Sequence, residues 1–413
     1  MATLFKTVCL AAGFLAVTIG QDARAATFEA RRGLNLDTWV TWPEEPSWSD
    51  PETLSPFPEW RGTVGAEGLA GLKAAGFDHL RIPVDPAPFL SSATLPYRDR
   101  LYRGVLEAAR AVNAAGLKAI VDLHLFPRHD NPDIGMAGVM EDPARFDAYL
   151  EIVRRMGRTL ALEDPRKVAL ELMNEPHGAC EPGEGDWPHR LRRLHAAARS
   201  SALDLTLILS GACGGSAEGL AGLDPTSIPD DNVIWTFHSY QPFVLTHQGA
   251  MWAGDFVRHV TGLTYPPHAM DPARRSQVID AIRRRIRDDA PWTRRHGMLS
   301  YLDEQLGEID TPEKLQAALE RPFRIVAAWA DRHGIAPESI YLGEFGMIRQ
   351  EWENPSVVPA SSRAAYVADM IAIAERRGYG WATWSYGGAF GVVEEFEGRR
   401  AEPDVLDVVR ALN

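Results

Sequence analysis

Two glutamates stand where buried strands are predicted to end, and both could take part in acid–base chemistry. Glu175 follows the apolar run Val168 to Met173 and precedes Pro176, which cannot donate a hydrogen bond to a strand ladder. Glu344 follows the second apolar run, 340–343. Hydrolysis of a glycosidic bond needs two carboxyl groups, one to protonate the leaving oxygen and one that stays ionised. We therefore expect an acid–base pair supplied by two distant parts of the chain.

Other predicted strand ends carry polar or aromatic side chains that could act on these carboxyl groups. Burial raises the pKa of a carboxyl group, whereas nearby cations and donated hydrogen bonds lower it. Such partners could hold the two pKa values apart, which the chemistry requires. The candidates are Arg81 on the second strand, His124 on the third, His238 and Tyr240 on the sixth, and Trp384 on the eighth.

The elements that would position these residues repeat one pattern, a helix, a glycine and an apolar strand. Gly76, Gly116 and Gly378 each follow a predicted helix and suit the left-handed conformation at a helix end. Asp142 and Pro143 mark another helix as its N-cap and first residue. Strands alternating with helices predict a parallel sheet, and eight of them predict a closed (β/α)₈ barrel of the α/β class. The predicted strands centre near Leu34, Leu80, Ile120, Leu170, Leu207, Trp235, Leu342 and Thr383.

A doubly wound open sheet is the alternative architecture for this alternation. Open sheets of this kind commonly bind nucleotides, yet neither a G-x-G-x-x-G nor a Walker A motif follows any predicted strand. The closed barrel is therefore the preferred fold. Because the chain has 413 residues and a plain barrel has about 250, we expect extended loops after the strands.

Two stretches exceed ordinary loop length, Thr38 to Pro58 and an insert at about 241–310. The insert contains the run RRSQVIDAIRRRIRDD, which we interpret as a solvated helix face rather than a binding patch. Loop tryptophans either stack on sugars or pin their own loops, and the sequence leaves both interpretations open for Trp39, Trp42, Trp48 and Trp252.

The first 25 residues are predicted to be a signal peptide. Lys6 supplies positive charge, a mainly apolar segment covers residues 8–20, and A-R-A at 23–25 fits a cleavage site. The apolar segment is too short for a transmembrane helix, and a retained anchor is the alternative. Residues 26–413 are predicted to form a single catalytic domain. We expect a soluble monomer, secreted or periplasmic, that is free of the membrane after cleavage.

The net charge of −13 restricts the partners of the protein. An acidic chain is a poor binder of nucleic acids and of anionic membranes. A neutral polysaccharide or oligosaccharide is a compatible substrate, although charge alone does not identify one.

The cysteines leave a disulfide open. Cys180 and Cys213 each lie a few residues past a predicted strand, so a disulfide can join the two loops if those strands are neighbours. Two free thiols are the alternative. Zinc-site spacing of cysteines and histidines is absent from the sequence.

Seven short motifs, taken in order, resemble those of glycoside hydrolase family 5, the large family of endoglucanases and mannanases. The resemblance extends from about Arg31 to Tyr386, and the 241–310 insert matches no part of it. The motifs are Arg32-Gly33-Leu34-Asn35, Arg81-Ile82-Pro83, Asp122-Leu123-His124, Asn174-Glu175-Pro176, His238-Ser239-Tyr240, Gly343-Glu344-Phe345-Gly346 and Trp384.

The resemblance implies a retaining mechanism and a role for each candidate side chain. Glu175 would be the general acid/base and Glu344 the nucleophile, with carboxyl groups about 5–5.5 Å apart. Asn174 would hold the 2-hydroxyl of the sugar, while Arg81 and Tyr240 would hydrogen-bond Glu344 and keep it ionised. The mechanism needs neither a metal ion nor an organic cofactor. The sugar subsite would be lined by His124 and His238, with Trp384 stacked under the ring.

Each candidate also has a purely structural interpretation. Either glutamate alone could be an ion-paired carboxylate at a strand end, and Arg81 could pair with a structural acid. The histidines and Trp384 could simply fill the barrel. Asp122 shares a strand face with His124, and we interpret it as structural.

We therefore hypothesise a secreted β-glycoside hydrolase that cuts a β-1,4-glucan internally, as a cellulase or endoglucanase does. β-Mannan, β-1,3-glucan and an exported bacterial glucan are alternative substrates, because the insert could reshape the cleft. Three alternative functions are an exo-acting glucosidase, a carbohydrate-binding protein on an inactive hydrolase scaffold, and a metal-dependent hydrolase using His124 and His238. An H-x-H pair or a further ligand cluster, which the metal-dependent reaction would favour, is not found in the sequence.

Overall fold

The computed structural model describes residues 27–37, 39–54, 64–126, 128, 131–180, 185–352, 354–393, 395–396 and 399–412. Within this part of the chain, eight parallel strands close into a barrel, each paired with the next and the last with the first. The predicted closed barrel is thereby confirmed, and every predicted strand centre lies within an observed strand. The strands are β1 (Arg32–Asn35), β2 (His79–Val84), β3 (Lys118–Leu123), β4 (Val168–Glu171), β5 (Thr206–Ser210), β6 (Val233–His238), β7 (Ile340–Glu344) and β8 (Gly380–Thr383).

Helices surround the barrel in the order that the repeating pattern predicts. Asp142 caps its helix, accepting hydrogen bonds from the backbone N–H groups of Ala144 and Arg145. Five short helical segments lie in loops: Pro51–Leu54, Ala87–Leu90, Met136–Glu141, Ala212–Gly215 and Phe243–Thr246. The other helices are α1 (Ala66–Ala75), α2 (Arg98–Ala114), α3 (Pro143–Leu160), α4 (Trp187–Arg199), α5 (Ala217–Ala221), α6 (Pro272–Asp289), α7 (Arg295–Gly307), α8 (Pro312–His333), α9 (Ala360–Arg376) and α10 (Asp404–Arg410).

The barrel interior contains both apolar and polar layers. Alternate side chains of a strand point inward, so residues of neighbouring strands meet in layers. The polar layers lie above this apolar layer, toward the carboxyl ends of the strands. The apolar layer consists of Ile120, Ala169, Ile208, Ile234, Tyr341 and Ala382, together with Phe28 and Ala30 from the segment before β1.

The insert between β6 and α8 is largely helical. It contains Phe243–Thr246, α6 and α7. On α6, Val278, Ile282 and Ile286 are buried at helical spacing. Most arginines of α6 are exposed or only partly buried, as expected for a solvated helix face.

Tryptophans of the first long stretch anchor it to the barrel. Trp39 and Trp48 are buried, and the Trp48 indole donates a hydrogen bond to the carbonyl oxygen of Pro43. Trp42 is also buried, and its indole donates to the carbonyl oxygen of Asp85. Burial of their rings removes these three side chains from the surface, so they pin their loop rather than meet a sugar.

Two further predictions concern the ends of the chain and the cysteines. The predicted signal peptide, residues 1–25, lies outside the described residues. Across the described helices, none combines the length and the apolar character needed to cross a membrane. Cys180 and Cys213 are joined by a disulfide, with their Cα atoms 4.8 Å apart.

Candidate active site

Glu175 and Glu344 meet at the carboxyl end of the barrel. Glu344 is the last residue of β7 and is buried, whereas Glu175 lies just beyond β4 with 39% of its side chain exposed. One carboxylate oxygen of each glutamate and a ring nitrogen of His238 lie within 4.8 Å of one another. The two predicted carboxyl groups therefore face a common opening.

Local backbone geometry aims the Glu175 side chain. Its φ angle is 41°, a left-handed conformation that few residues other than glycine adopt. Gly215, in the turn after β5, lies close behind it, because a Cβ atom at this position would be 3.5 Å from Glu175 Cγ and from His238 Nδ1. The Glu175 carboxylate also lies 2.8 Å from His238 Nδ1. Backbone and ring contacts thus hold the carboxyl group on two sides.

Glu344 is held by two hydrogen-bond donors. Arg81 Nη1 donates to one carboxylate oxygen over 2.8 Å, and the Tyr240 hydroxyl donates to the other over 2.9 Å. His238 Nδ1 lies 3.7 Å from the second oxygen. Gly343 leaves room for that ring, since a Cβ atom there would lie 2.9 Å from His238 Nε2.

Arg81 is the centre of a buried polar network beneath the glutamates. Its Nε and Nη2 donate to the two carboxylate oxygens of Glu171 over 2.7 and 2.9 Å, a bidentate pair. Nη1 also donates to Asn35 Oδ1, and Nη2 lies 3.0 Å from Asp122 Oδ2. Because all of its donors are engaged, the guanidinium group has one orientation relative to Glu344.

A chain of hydrogen bonds orients Asn174 and His124. Asn174 Oδ1 accepts from Arg81 Nη2 over 2.7 Å, so its amide nitrogen is the donor toward His124 Nε2, 3.1 Å away. His124 Nε2 must then accept, and the ring proton resides on Nδ1, which donates to Asp122 Oδ2 over 2.7 Å. The neutral imidazole of His124 follows from this arrangement.

Trp384 flanks the same opening. Its indole stacks on the His124 ring with centroids 5.8 Å apart and an interplanar angle of 27°. The side chain is partly exposed, unlike the tryptophans of the first long loop. An exposed aromatic face beside the glutamates is suited to contact the apolar face of a sugar ring.

Burial raises the pKa values of both glutamates. For Glu175, the positive charge of Arg81 acts in the opposite direction, as His124 and His177 do when they are protonated. For Glu344, the positive charge of Arg81 opposes the effect of burial, as His238 does when it is protonated, while the negative charge of Glu175 adds to the increase. Glu344 accepts hydrogen bonds from a guanidinium and a hydroxyl group, whereas Glu175 contacts a histidine. A single proton shared by the pair is therefore favoured on Glu175.

The neighbouring groups also have shifted pKa values. Burial lowers the pKa of His238 to about 4 and lowers that of His124, so both rings are neutral at pH 7. Burial raises the pKa of Asp122 to about 7 against the opposing effect of Arg81. Burial also raises the pKa of Tyr240 far above its ordinary value, which keeps the hydroxyl proton available to Glu344.

Sequence patterns located the residues around the opening but not the network beneath them. The eight candidates at strand ends all lie at this end of the barrel, with the contacts described above. Glu171 was missed, although it is the sole acidic residue within its apolar strand, and such a residue needs a buried partner. Asp122, interpreted as structural, bonds both Arg81 and His124.

A metal ion would have to bind at the glutamates themselves. Among the described residues, the set of three or more potential ligands is Glu175, His238 and Glu344. The Arg81 guanidinium bonds one of these carboxylates, and its positive charge opposes a divalent cation there. His124, assigned to the alternative metal site, has both ring nitrogens engaged by Asn174 and Asp122. The geometry does not favour the metal-dependent alternative.

Known proteins similar to this chain were found by sequence and by structure. The profile described as "Cellulase (glycosyl hydrolase family 5)" matches residues 45–390. The chain is 24% identical to "Endoglucanase C" of Acetivibrio thermocellus over 365 residues, covering 86% of this chain and 91% of that one. It is 25% identical to "Cellodextrinase A" of Ruminococcus flavefaciens over 344 residues, covering 82% and 90% of the two chains. The structure of Thermotoga maritima Cel5A with mannotriose superposes with a TM-score of 0.61 at 22% identity, covering 92% and 97% of the chains.

Proposed function

Because the chain belongs to the cellulase family, glycosyl hydrolase family 5, and is a glycoside hydrolase, we propose that it cleaves an internal β-1,4 bond of a glucan with retention of configuration. The observation that carries the proposal is that one carboxylate oxygen of Glu175 lies within 4.8 Å of one carboxylate oxygen of Glu344. A retaining pair lies about 5–5.5 Å apart, whereas an inverting pair needs about 6.5–9.5 Å to admit a water molecule. The short separation supports double displacement.

In the first step, Glu344 attacks the anomeric carbon and Glu175 gives its proton to the leaving oxygen. Arg81 and Tyr240 support the ionised form of Glu344 because each donates a hydrogen bond to one of its oxygens. The glycosidic bond breaks as the bond to Glu344 forms. Glu175, now ionised, can next remove a proton from water.

In the second step, that water attacks the anomeric carbon and releases Glu344. His238 lies 2.8 Å from Glu175 and holds its carboxyl group in place during both steps. Its low pKa keeps the ring neutral, so no positive charge is fixed beside the acid at neutral pH. Asn174 holds the 2-hydroxyl of the sugar, and His124 and Trp384 line the subsite in which the sugar sits.

The leaving part of the chain occupies a cavity beside Glu175. This cavity has a volume of about 400 Å³ and is bounded by the loops after β5 and β6 and by α8. Its lining includes Glu175, His238, Phe243 and Arg321. Space on the far side of the acid supports cleavage within a chain, because both parts of the substrate can then be bound.

Two other substrates or modes are supported by the relatives. The mannotriose complex of Thermotoga maritima Cel5A favours β-mannan as a second candidate substrate. The similarity to "Cellodextrinase A" favours action on short glucan chains as a second candidate mode. Product sizes on a soluble β-1,4-glucan separate the modes, since internal cleavage releases oligomers and end cleavage releases small sugars alone.

We propose that the protein is exported after removal of residues 1–25 and works as a monomer on a polysaccharide or oligosaccharide. The disulfide between Cys180 and Cys213 supports an oxidising compartment, because such bonds are rare in the cytosol. Residues 26–413 would then form a single catalytic domain, with the helical insert as part of it.

Replacement of Glu344 tests the function. We expect Glu344→Ala to lower kcat on a soluble β-1,4-glucan by about 10³-fold or more, since the nucleophile is lost. Circular dichroism and the melting temperature serve as controls for folding. Full activity in a folded Glu344→Ala variant would refute the proposed mechanism, and wild-type inactivity on all β-glucans and β-mannans would refute the proposed substrate class.

A further inference from the structure

Trp252 and Trp352 are both 62% exposed, unlike the three buried tryptophans of the first long loop. Trp252 lies in the insert after β6, and Trp352 lies in the loop after β7. Met251, beside Trp252, is 56% exposed. Large apolar side chains exposed together on a rigid surface indicate a binding site. We call Met251, Trp252 and Trp352 the rim platform.

One buried carboxylate fixes the two loops relative to each other. Glu351 Oε2 accepts a hydrogen bond from the backbone N–H of Met251 over 3.1 Å, and Oε1 accepts from that of Trp352 over 2.7 Å. Glu351 itself is only 8% exposed. The backbone N–H groups of Met251 and Trp352 are therefore bonded to the same carboxylate, which holds the two backbone segments close together.

Packing of the loop backbones reinforces this tie. Gly249 has a φ of 83°, and a Cβ atom there would lie 2.9 Å from Asn354 Nδ2. The backbone N–H of Ile348 also donates to the carbonyl oxygen of Thr246 over 2.9 Å. The insert therefore packs against the loop after β7 at several residues. These contacts fix the position of the backbone that carries the rim platform.

Aromatic contacts connect the rim platform to the glutamates. The Trp252 ring contacts His247 edge-on, with centroids 5.4 Å apart, and lies 6.4 Å from Phe390. Both of those rings in turn contact Tyr240, which bonds Glu344. The edge of the Trp252 indole is held by this packing while most of the ring stays exposed. A ring that merely pinned its loop would be buried, as Trp48 is.

We propose that the rim platform is a substrate-binding subsite that stacks against the sugar rings of a β-linked glucan chain beyond the cleaved bond. The proposal rests on the proposed function and extends it, because it assigns part of the insert to binding long chains. The ligand is a neutral chain with apolar sugar faces, since the exposed side chains of the platform are two indoles and a thioether, and Arg258 contacts only the Met251 sulfur, at 3.9 Å. The ring contacts with Tyr240 connect the rim platform to the catalytic opening.

Binding to an inactive enzyme tests the platform apart from catalysis. In a Glu344→Ala background, the dissociation constants of cellohexaose and cellobiose are measured by titration calorimetry. We expect Trp252→Ala and Trp352→Ala each to weaken cellohexaose binding about tenfold, as for the loss of a tryptophan that anchors an interface. The dissociation constant of cellohexaose should therefore rise relative to that of cellobiose. Glu351→Ala should give the same shift with both tryptophans present, because it unties the loops.

Trp292 provides the matched control. It is 81% exposed in the segment between α6 and α7 and lies outside the rim platform. We expect Trp292→Ala to bind both sugars like its parent. Unchanged cellohexaose binding in a folded Trp252→Ala/Trp352→Ala variant would overturn the platform, while hydrolysis by the wild type would leave the proposed function intact. A dimer that forms in the wild type and is lost in this double variant would instead assign the surface to self-association.

Discussion

At the scale of single residues, the two glutamates are distinguished by what bonds to them. Both are raised in pKa by burial, yet Glu344 receives a guanidinium and a hydroxyl donor while Glu175 contacts His238. An ionised carboxylate is stabilised by donors, so the proton belongs on Glu175 and the negative charge on Glu344. The assignment of acid/base and nucleophile follows from this asymmetry.

The pH dependence of activity should carry the signature of Glu175. Its acid form is lost as the pH rises through its raised pKa, and Glu344 is protonated as the pH falls through its own. We expect Glu175→Gln to lower kcat/KM on cellohexaose by about 10²–10⁴-fold, the usual contribution of a general acid. On an aryl cellobioside whose leaving group departs without a proton, the loss should be much smaller and the alkaline decline should disappear.

Values of kcat/KM measured from pH 4 to pH 9 on the two substrates check this prediction. Glu67→Gln is a control, since Glu67 is exposed on α1 and lies outside the residues assigned to the active site. Equal losses on both substrates in Glu175→Gln, with the alkaline decline retained, would assign the acid to another group.

At the scale of elements, the turn after β5 supports the acid. Cys213 and Gly214 have φ angles of 58° and 66°, and Cys213 is bonded to Cys180 in the loop that follows Glu175. The N–H of Gly214 also donates to the carbonyl oxygen of Pro176 over 3.2 Å. The disulfide therefore joins the two loops at the point where Gly215 backs the Glu175 side chain.

Reduction of this disulfide should affect both stability and activity. The bridge spans 33 residues, and closing a loop of that size stabilises a fold by about 3–4 kcal/mol in the chain-entropy treatment. We expect a reductant to lower the melting temperature and to lower kcat about tenfold or more, because a shift of about 1 Å in a catalytic group is costly. Thermal unfolding and initial rates with and without reductant provide the measurement.

A Cys180→Ser/Cys213→Ser variant is the control for that experiment. It should start at the reduced level and show no further response to the reductant. If the wild type loses neither stability nor activity on full reduction, as confirmed by thiol titration, the turn does not depend on the bridge.

Sequence patterns predicted the elements well where burial dictates them. The strands are buried on both faces, so each appears as an apolar run that ends at a polar residue, as at Glu344. The insert was harder, because its helices pack on loops and follow no barrel repeat. Whether a loop tryptophan is buried like Trp48 or exposed like Trp252 depends on tertiary packing that local sequence does not encode.

At the scale of the whole molecule, the barrel carries a polar network in its interior. Arg81 joins Glu171, Asp122 and Glu344, and all four residues are buried. Such a network is costly unless every member is paired, so its geometry is fixed by the fold around it. These four residues come from β2, β3, β4 and β7. A single sequence does not indicate which acidic residue will pair with Arg81.

The stability of the barrel should report the protonation of Asp122. Its pKa in the folded protein is about 7, above its ordinary value of 3.8, so the folded state holds an extra proton between about pH 4 and pH 7. The stability that this proton provides is complete below about pH 4 and is lost as the pH rises to about 7. The Asp122→Asn variant has no carboxyl group at this position, so it should not lose stability in this way as the pH rises.

Urea unfolding at pH 4, 5.5 and 7 checks this. We expect the free energy of unfolding of Asp122→Asn, relative to the wild type, to rise steadily across that range. The lowered pKa of His124 acts in the opposite direction, so the difference between the two proteins, rather than the wild-type curve alone, is compared across pH. A difference that stays constant with pH would show that Asp122 is ionised throughout.

The most direct test of the central claim is to trap the covalent intermediate. A 2-deoxy-2-fluoro-β-cellobioside with an activated leaving group reacts with a retaining nucleophile and then hydrolyses slowly. Peptide mass spectrometry of the inactivated protein should place one fluorosugar on Glu344. A label on any other residue, or turnover with inversion and no label, would contradict the account.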